Sequence, residues 1–203
     1  MHQKIYQEFE AICATRNIKG SVLEIGALPS KMSLLSMKSI ANATEKIGIN
    51  LDGPYEFGDF KILKGNGNCM DCFENERFDA VLCNATLEHD KYFWKTLAEI
   101  NRVTKPGGLV VIGVPGYGLT KMDKLQSAAK GWPVLRSLSH KHYVDVFFSS
   151  TVTFQIHDHP GDYYRFSQQA VREVFFEGMD NVEIRSVMQP PRIIGFGTKS
   201  GKR

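Results

Sequence analysis

Short all-apolar runs alternate with segments of helical period along the whole chain, the pattern of a sheet with helices on its faces. Ile5, Phe9, Ile12 and Cys13 recur at helical spacing and predict an amphipathic helix from about Gln3 to Thr15. Five buried strands follow: Ser21 to Gly26, Lys46 to Leu51, Phe60 to Gly65, Phe78 to Asn84 and Gly108 to Val114. Ser30 is placed to cap a helix running through Met32, Leu35, Ile40 and Ala43 after the first strand. A second helix, Tyr92 to Val103, carries Phe93, Leu97, Ile100 and Val103 on one face and is stopped by Lys105-Pro106-Gly107-Gly108. All-apolar strands joined through helices make a mostly parallel sheet with right-handed crossovers.

The regularity lapses from Gly116 to Tyr164, apart from a helix near Thr120 to Lys130, and aromatic and histidine residues concentrate there. An excursion of that length inside a compact domain reads as a lid or substrate-binding insertion. Order resumes with Ser167 as an N-cap, Ala170, Val171, Val174 and Phe175 on one helical face, and Gly178 as the stop. The last two strands, Asn181 to Met188 and Arg192 to Lys199, are close enough in sequence to pair as an antiparallel edge hairpin. The expectation is therefore a single α/β domain over residues 1–203, Rossmann-like. It has a seven-stranded, mostly parallel sheet, an antiparallel C-terminal hairpin, helices on both faces and an insertion (116–164) after the fifth strand.

Composition changes this picture little. The chain has 203 residues, 42% hydrophobic and 23% charged, which suits one domain with its own core. Its net charge of +3 is spread along the chain, so no nucleic-acid partner is expected. No stretch approaches the ~18 apolar residues of a membrane span, and no membrane partner is expected either. Four cysteines in a domain of this size are too few for a disulfide scaffold, which points to a reducing, cytoplasmic setting. The single Cys69-x-x-Cys72 lacks the second pair of a structural zinc site, and His157-Asp158-His159 has no further ligand cluster, so no metal is expected.

Open parallel sheets bind ligands outside the carboxyl ends of their strands. Three loops there carry the informative residues: VLEIGALPS (Val22 to Ser30), GINLDGP (Gly48 to Pro54) and FDAVLCNATLEHD (Phe78 to Asp90), the last followed by a helix and KPGGLVVIGVP (Lys105 to Pro115). Over roughly Ser21 to Val114 the chain resembles the class I S-adenosylmethionine-dependent methyltransferases, in particular the small methyltransferase-domain group with FDxVxxxxxLEH, a helix and KPGGxxxxxxP. The resemblance implies S-adenosylmethionine as cofactor. It places Glu24 near the methionine ammonium, and Gly26 and Ala27 at the first turn. Asn50, Leu51 and Asp52 fall at the ribose, Asn68, Cys69 and Met70 at the adenine, and Asn84, Ala85 and Leu87 at the methionine end.

Three positions depart from the family pattern. Leu28 and Ser30 stand where two further glycines are expected, and Asn50 where an acid usually holds the ribose hydroxyls, with Asp52 two residues on as its substitute. A sulfonium methyl is already activated, so the protein chiefly has to position the acceptor and handle its proton. For an oxygen acceptor the candidate bases are His89, His140, His142 and His157. His159, Tyr163, Tyr164 and Arg165 are candidate substrate-binding groups, with Trp132, Tyr143, Phe147 and Phe148 as apolar walls. Methyl transfer to a small-molecule acceptor, at oxygen on a sugar, glycan precursor or natural product, is the resulting expectation. The alternative is a catalytically inactive binding or scaffold protein of the same fold. Dehydrogenase chemistry is disfavoured because Gly26-Ala27-Leu28 fails the G-x-G-x-x-G turn.

Overall fold

The structure, a computed structural model, describes residues 1–117, 121–133, 142–156 and 161–201. Helix α1 (Gln3–Ala14) precedes strand β1 (Ser21–Ile25), and then come β2 (Glu45–Asn50), β3 (Tyr55–Phe57), β4 (Phe60–Lys64), β5 (Phe78–Asn84), helix α2 (Phe93–Val103) and β6 (Thr104–Pro115). Helices α3 (Lys121–Lys130) and α4 (His142–Ser149) occupy the insertion. A short α turn, Gln168–Ala170, then runs into a π-helical turn, Val171–Phe175, before β7 (Met179–Val187) and β8 (Arg192–Lys199). The strands form one sheet in the order β3-β4-β2-β1-β5-β6-β8-β7. Its centre is parallel, whereas β6–β8, β7–β8 and β3–β4 pair antiparallel.

All seven expected strands are present. The eighth, β3, was missed because YEF at 55–57 is too short and too exposed to show a period, and it exists only by folding back on β4. Strand β6 starts at Thr104, before the KPGG turn, with a register shift opposite Phe78 and Ala80. The FD and KPGG motifs meet there. The Asp79 carboxylate accepts from the Ser21 amide (2.8 Å) and pairs with Lys105 (2.7 Å), tying the starts of β1, β5 and β6 together. Burial works against that charge, but the bonds from Lys105 and Ser21 hold the Asp79 carboxyl below its usual range.

The two faces of the sheet bury different residues. One carries Leu23, Ile25, Val81, Cys83, Val110 and Ile112 against α2 and the last helix, whose N-cap is Ser167 as predicted, its hydroxyl accepting from the Ala170 amide (3.0 Å). The other carries Val22, Ala80, Leu82 and Val111 against Ile5, Phe9, Ile12 and Cys13 of α1. Burying each of those large α1 side chains contributes roughly 1.5–3 kcal/mol.

The helix expected after β1 is replaced by two 3₁₀ turns, Leu34–Ser36 and Lys38–Ile40, and the cap is Ser33 rather than Ser30. The serines explain it, because each offers the backbone or a neighbour a bond that competes with a continuous helix. Ser33 Oγ accepts from the Leu35 amide, Ser36 Oγ donates to the Ser30 carbonyl, and the Ser39 amide donates to Glu10 across the face of α1 (2.9 Å). Leu34, Leu35, Met37 and Ile40 still reach the core.

Candidate active site

A cavity of about 520 Å³ opens at the carboxyl tips of β1, β2, β4 and β5, within the range of small-molecule sites. Its floor is Ile25, Gly26 and Ile49, its near wall Gly65 to Asn68, and its far wall Ala85, Thr86 and His89 to Tyr92. Backbone bonds draw the strand tips together. The Gly26 amide donates to the Ile49 carbonyl (2.9 Å), the Gly65 amide to the Asn50 carbonyl (2.7 Å) and the Ala85 amide to the Gly113 carbonyl (2.9 Å). Gly26 sits at φ +77°, a left-handed conformation, and a side chain there would overlap the Thr86 hydroxyl. Ala85, at φ +54°, turns the chain out of β5 beneath the same wall.

The residues expected from the sequence divide into two groups. Gly26, Asn50, Leu51, Asp52, Asn68, Ala85, His89 and Tyr163 line the cavity. Glu24 does not: it points to the α1 face, where its carboxylate accepts from the Ser33 hydroxyl and the Leu35 amide (3.3 Å) and fixes the serine-rich turns. Ala27, Met70 and Leu87 are fully buried in the core, Asn84 turns its side chain toward Gly113 and Phe9, and Cys69 is exposed beside Asp71. Tyr164 donates to the Lys91 carbonyl (2.9 Å). Arg165 is committed to Asp162 and to the carbonyls of Phe154, Gln155 and Tyr164, so it braces the insertion and is not among the cavity-lining residues. His142 is exposed on α4. His140, His157 and His159 lie outside the described residues.

Residues that sequence reasoning missed build the far wall. The Asp90 carboxylate accepts from the Tyr92 amide (2.8 Å), the Thr96 hydroxyl (2.7 Å) and Asn68 Nδ2 (2.7 Å), joining the start of α2 to the β4–β5 loop. An Asp three residues ahead of a helix start was the available signal. Asn50 is likewise committed: its Nδ2 donates to the Ala27 carbonyl (2.7 Å) and its Oδ1 accepts from the Asp52 amide (3.2 Å), so it clips the first two loops together and leaves the rim to the Asp52 carboxylate.

Burial raises the Glu24 carboxyl from 4.5 to about 6, although the bonds from Ser33, Leu34 and Leu35 pull the other way. A carboxyl raised on folding contributes stability that is complete below its unfolded value and is lost as pH rises through the folded one. The stability difference between the parent chain and Glu24→Gln should therefore shift by about 2 kcal/mol between about pH 4.5 and 7.5, the parent losing at the higher pH. Urea unfolding of both proteins across that range checks it, and a constant difference would mean that Glu24 ionises normally.

Residues 35–112 match the family described as "Methyltransferase domain". That match covers less than half of the chain, and the fold as a whole is the Rossmann-like fold of solved methyltransferases. No curated protein matches the sequence. Among solved structures, the complex of the Haloferax volcanii Trm112 methyltransferase activator with the putative methyltransferase is 15% identical at TM-score 0.61, covering 98% of this chain and 92% of that one. Burkholderia thailandensis 1,6-didemethyltoxoflavin-N1-methyltransferase, with S-adenosylhomocysteine bound, is 16% identical at TM-score 0.60, covering 96% and 78%. The N-methyltransferase NodS of Bradyrhizobium japonicum, in complex with S-adenosylhomocysteine, is 10% identical at TM-score 0.61, covering 97% and 86%.

The cavity fits S-adenosylmethionine, the cofactor that the sequence resemblance implies. Gly26 leaves the β1 tip bare, Ile25, Ile49 and Leu51 offer apolar surface for an adenosyl group, and Asp52 brings an acceptor to the rim. Leu28, in place of a family glycine, stands at the lip with 60% of its surface exposed and leaves the cavity open.

Proposed function

We propose that this methyltransferase transfers its methyl group to a hydroxyl oxygen of a small-molecule acceptor, with His89 as general base. One observation carries the reading: His89 lines the cavity with Nδ1 hydrogen-bonded to the Gly161 carbonyl. A carbonyl can only accept, so Nδ1 carries a proton, and Nε2 is the nitrogen through which the ring would act as a base. A hydroxyl needs its proton removed as it attacks, whereas a free amine attacks with its own lone pair, and a base fixed by its neighbour is more use to the former. The toxoflavin-precursor and NodS enzymes are named for transfer to nitrogen, which makes nitrogen the competing acceptor.

In this reading Gly26, Leu51, Asp52 and Asn68 hold the cofactor, whose sulfonium supplies the activated methyl. Thr86, bonded to the Ile25 and Asn84 carbonyls, keeps the β1 and β5 tips at fixed spacing. Tyr163, whose amide donates to the Glu88 carbonyl (2.8 Å), closes the acceptor side. The free thiols of Cys69 and Cys72, both exposed, support a reducing, cytoplasmic location.

The test is transfer from methyl-labelled S-adenosylmethionine to panels of hydroxylated and amine acceptors. Label on oxygen is expected, and His89→Ala should lower turnover by about 10²–10⁴-fold with little change in cofactor affinity. Label only on nitrogen, or turnover unaffected by His89→Ala, would overturn the assignment.

A further inference from the structure

The near and far walls of the cavity meet through Asn68. Its Nδ2 has three neighbours, the Asp90 carboxylate (2.7 Å), the Thr96 hydroxyl (2.8 Å) and the Tyr92 carbonyl (3.4 Å). The Thr96 hydroxyl donates its own proton to Asp90 (2.7 Å), so all three oxygens face Asn68 as acceptors. An amide with its ends exchanged would set its oxygen against those acceptors, and the partners therefore fix which end is which. Nδ2 is turned to the far wall, and Oδ1 is the atom that Asn68 keeps for the cavity it lines. The packing behind it is close: Thr96 is buried, and a Cβ at Gly67 would press on its hydroxyl at 3.0 Å, so the bare backbone of Gly67 lets the loop seat Asn68 on α2.

Asn66, two residues earlier on the same wall, is oriented the other way. Its Oδ1 accepts from the Asn68 amide (2.9 Å), a bond that only the oxygen can make, which leaves Nδ2 as the end available to a ligand. The near wall thus offers one acceptor, Asn68 Oδ1, and one donor, Asn66 Nδ2. Those two groups complement an amino-purine edge. Adenine presents an N–H donor at N6 beside ring nitrogens that only accept, whereas hypoxanthine carries an oxygen at position 6 and a proton on N1, the reverse arrangement.

We propose that Asn68, held by Asp90, makes the cavity select a 6-amino purine over its 6-oxo counterpart, with Asp90 as the positioning residue. The inference rests on the reading of this cavity as the adenosyl site, and not on which atom is methylated or on His89. Asp90 acts through Asn68, since its carboxylate is committed to the Tyr92 amide, the Thr96 hydroxyl and Asn68 itself. A 6-oxo purine would set its oxygen against Asn68 Oδ1, two acceptors with no proton between them, and leave both without a partner.

The test is calorimetric titration of the full chain with S-adenosylhomocysteine and with S-inosylhomocysteine, which carries hypoxanthine in place of adenine. The parent should bind the adenine ligand at least about ten-fold more tightly. Asn68→Ala, at a part-exposed loop position, should bring the two affinities within about three-fold of each other. Asp90→Asn keeps an oxygen for the Tyr92 amide but turns a donor on Asn68, which frees that amide to rotate, and should narrow the ratio to the same extent. A purely structural effect would lower both affinities together and leave their ratio alone. No binding of either ligand by the parent would remove the adenosyl reading and this proposal with it. Equal or reversed preference in the parent would overturn the discrimination and leave that reading in place. A parent-like ratio in Asn68→Ala or in Asp90→Asn would overturn the role assigned to that residue.

Discussion

Gly26→Arg is expected to abolish S-adenosylmethionine binding, lowering affinity by at least about a hundred-fold in a calorimetric titration. Two effects add. The backbone at φ +77° suits glycine, and any other residue carries strain on the order of 1–2 kcal/mol there. A Cβ would also overlap the Thr86 hydroxyl, pushing the β5 tip away from β1 and moving the wall that should face the cofactor. The arginine chain beyond that Cβ would compete for the cavity itself. Thr86→Ala serves as the control, because it removes the hydroxyl and leaves the glycine turn, and it should bind within about ten-fold of the parent. A folded Gly26→Arg protein with unchanged affinity would refute the placement of the cofactor in this cavity.

Arg192→Leu should destabilise the fold by about 3–5 kcal/mol. Arg192 pairs with Glu88 at 3.2 Å, the Glu88 side chain is fully buried, and its other oxygen, Oε2, has no hydrogen-bond partner. The guanidinium also lies 5.4 Å from the Phe154 ring centroid. Removing the arginine strands a carboxylate out of water, which is worse than removing both partners. At about 2–4 °C per kcal/mol for a chain of this size, the melting temperature should fall by roughly 6–20 °C, and Glu88→Leu with Arg192→Leu should recover most of the loss. A drop of under about 2 °C would mean that the Glu88–Arg192 pair does not hold the fold together. Glu88 immediately precedes His89, so the pair also bears on the acceptor side of the site.

Much of the candidate cavity's location was legible in the sequence, and less of its detail. Gly26, Asp52, Ala85 and His89 fall on the cavity wall because strand ends can be read from apolar runs, and the ligand side of a parallel sheet is its carboxyl side. Glu24 lies away from the cavity because strand alternation decides which face a side chain takes. At the end of β1 that face is the one beneath α1. Asn50 was assigned to a ligand by position, yet a side-chain amide two residues from a turn finds backbone partners first, here Ala27 and Asp52. Asp90 and Thr96 were overlooked because their partner Asn68 lies more than twenty residues away, and no local pattern announces the bond.

The sequence by itself determined the alternation of elements, the seven principal strands, the antiparallel end and the resemblance to the methyltransferases. Each of these follows from local periodicity, Gly and Pro punctuation, and short motifs. Only the tertiary structure decided that the segment after β1 is two serine-braced turns instead of a helix, that a short eighth strand closes the sheet edge, that Arg165 braces the insertion, and that α4 faces outward. Those outcomes depend on which distant groups compete for the same hydrogen bonds and the same buried surface, a contest that no window of neighbouring residues contains.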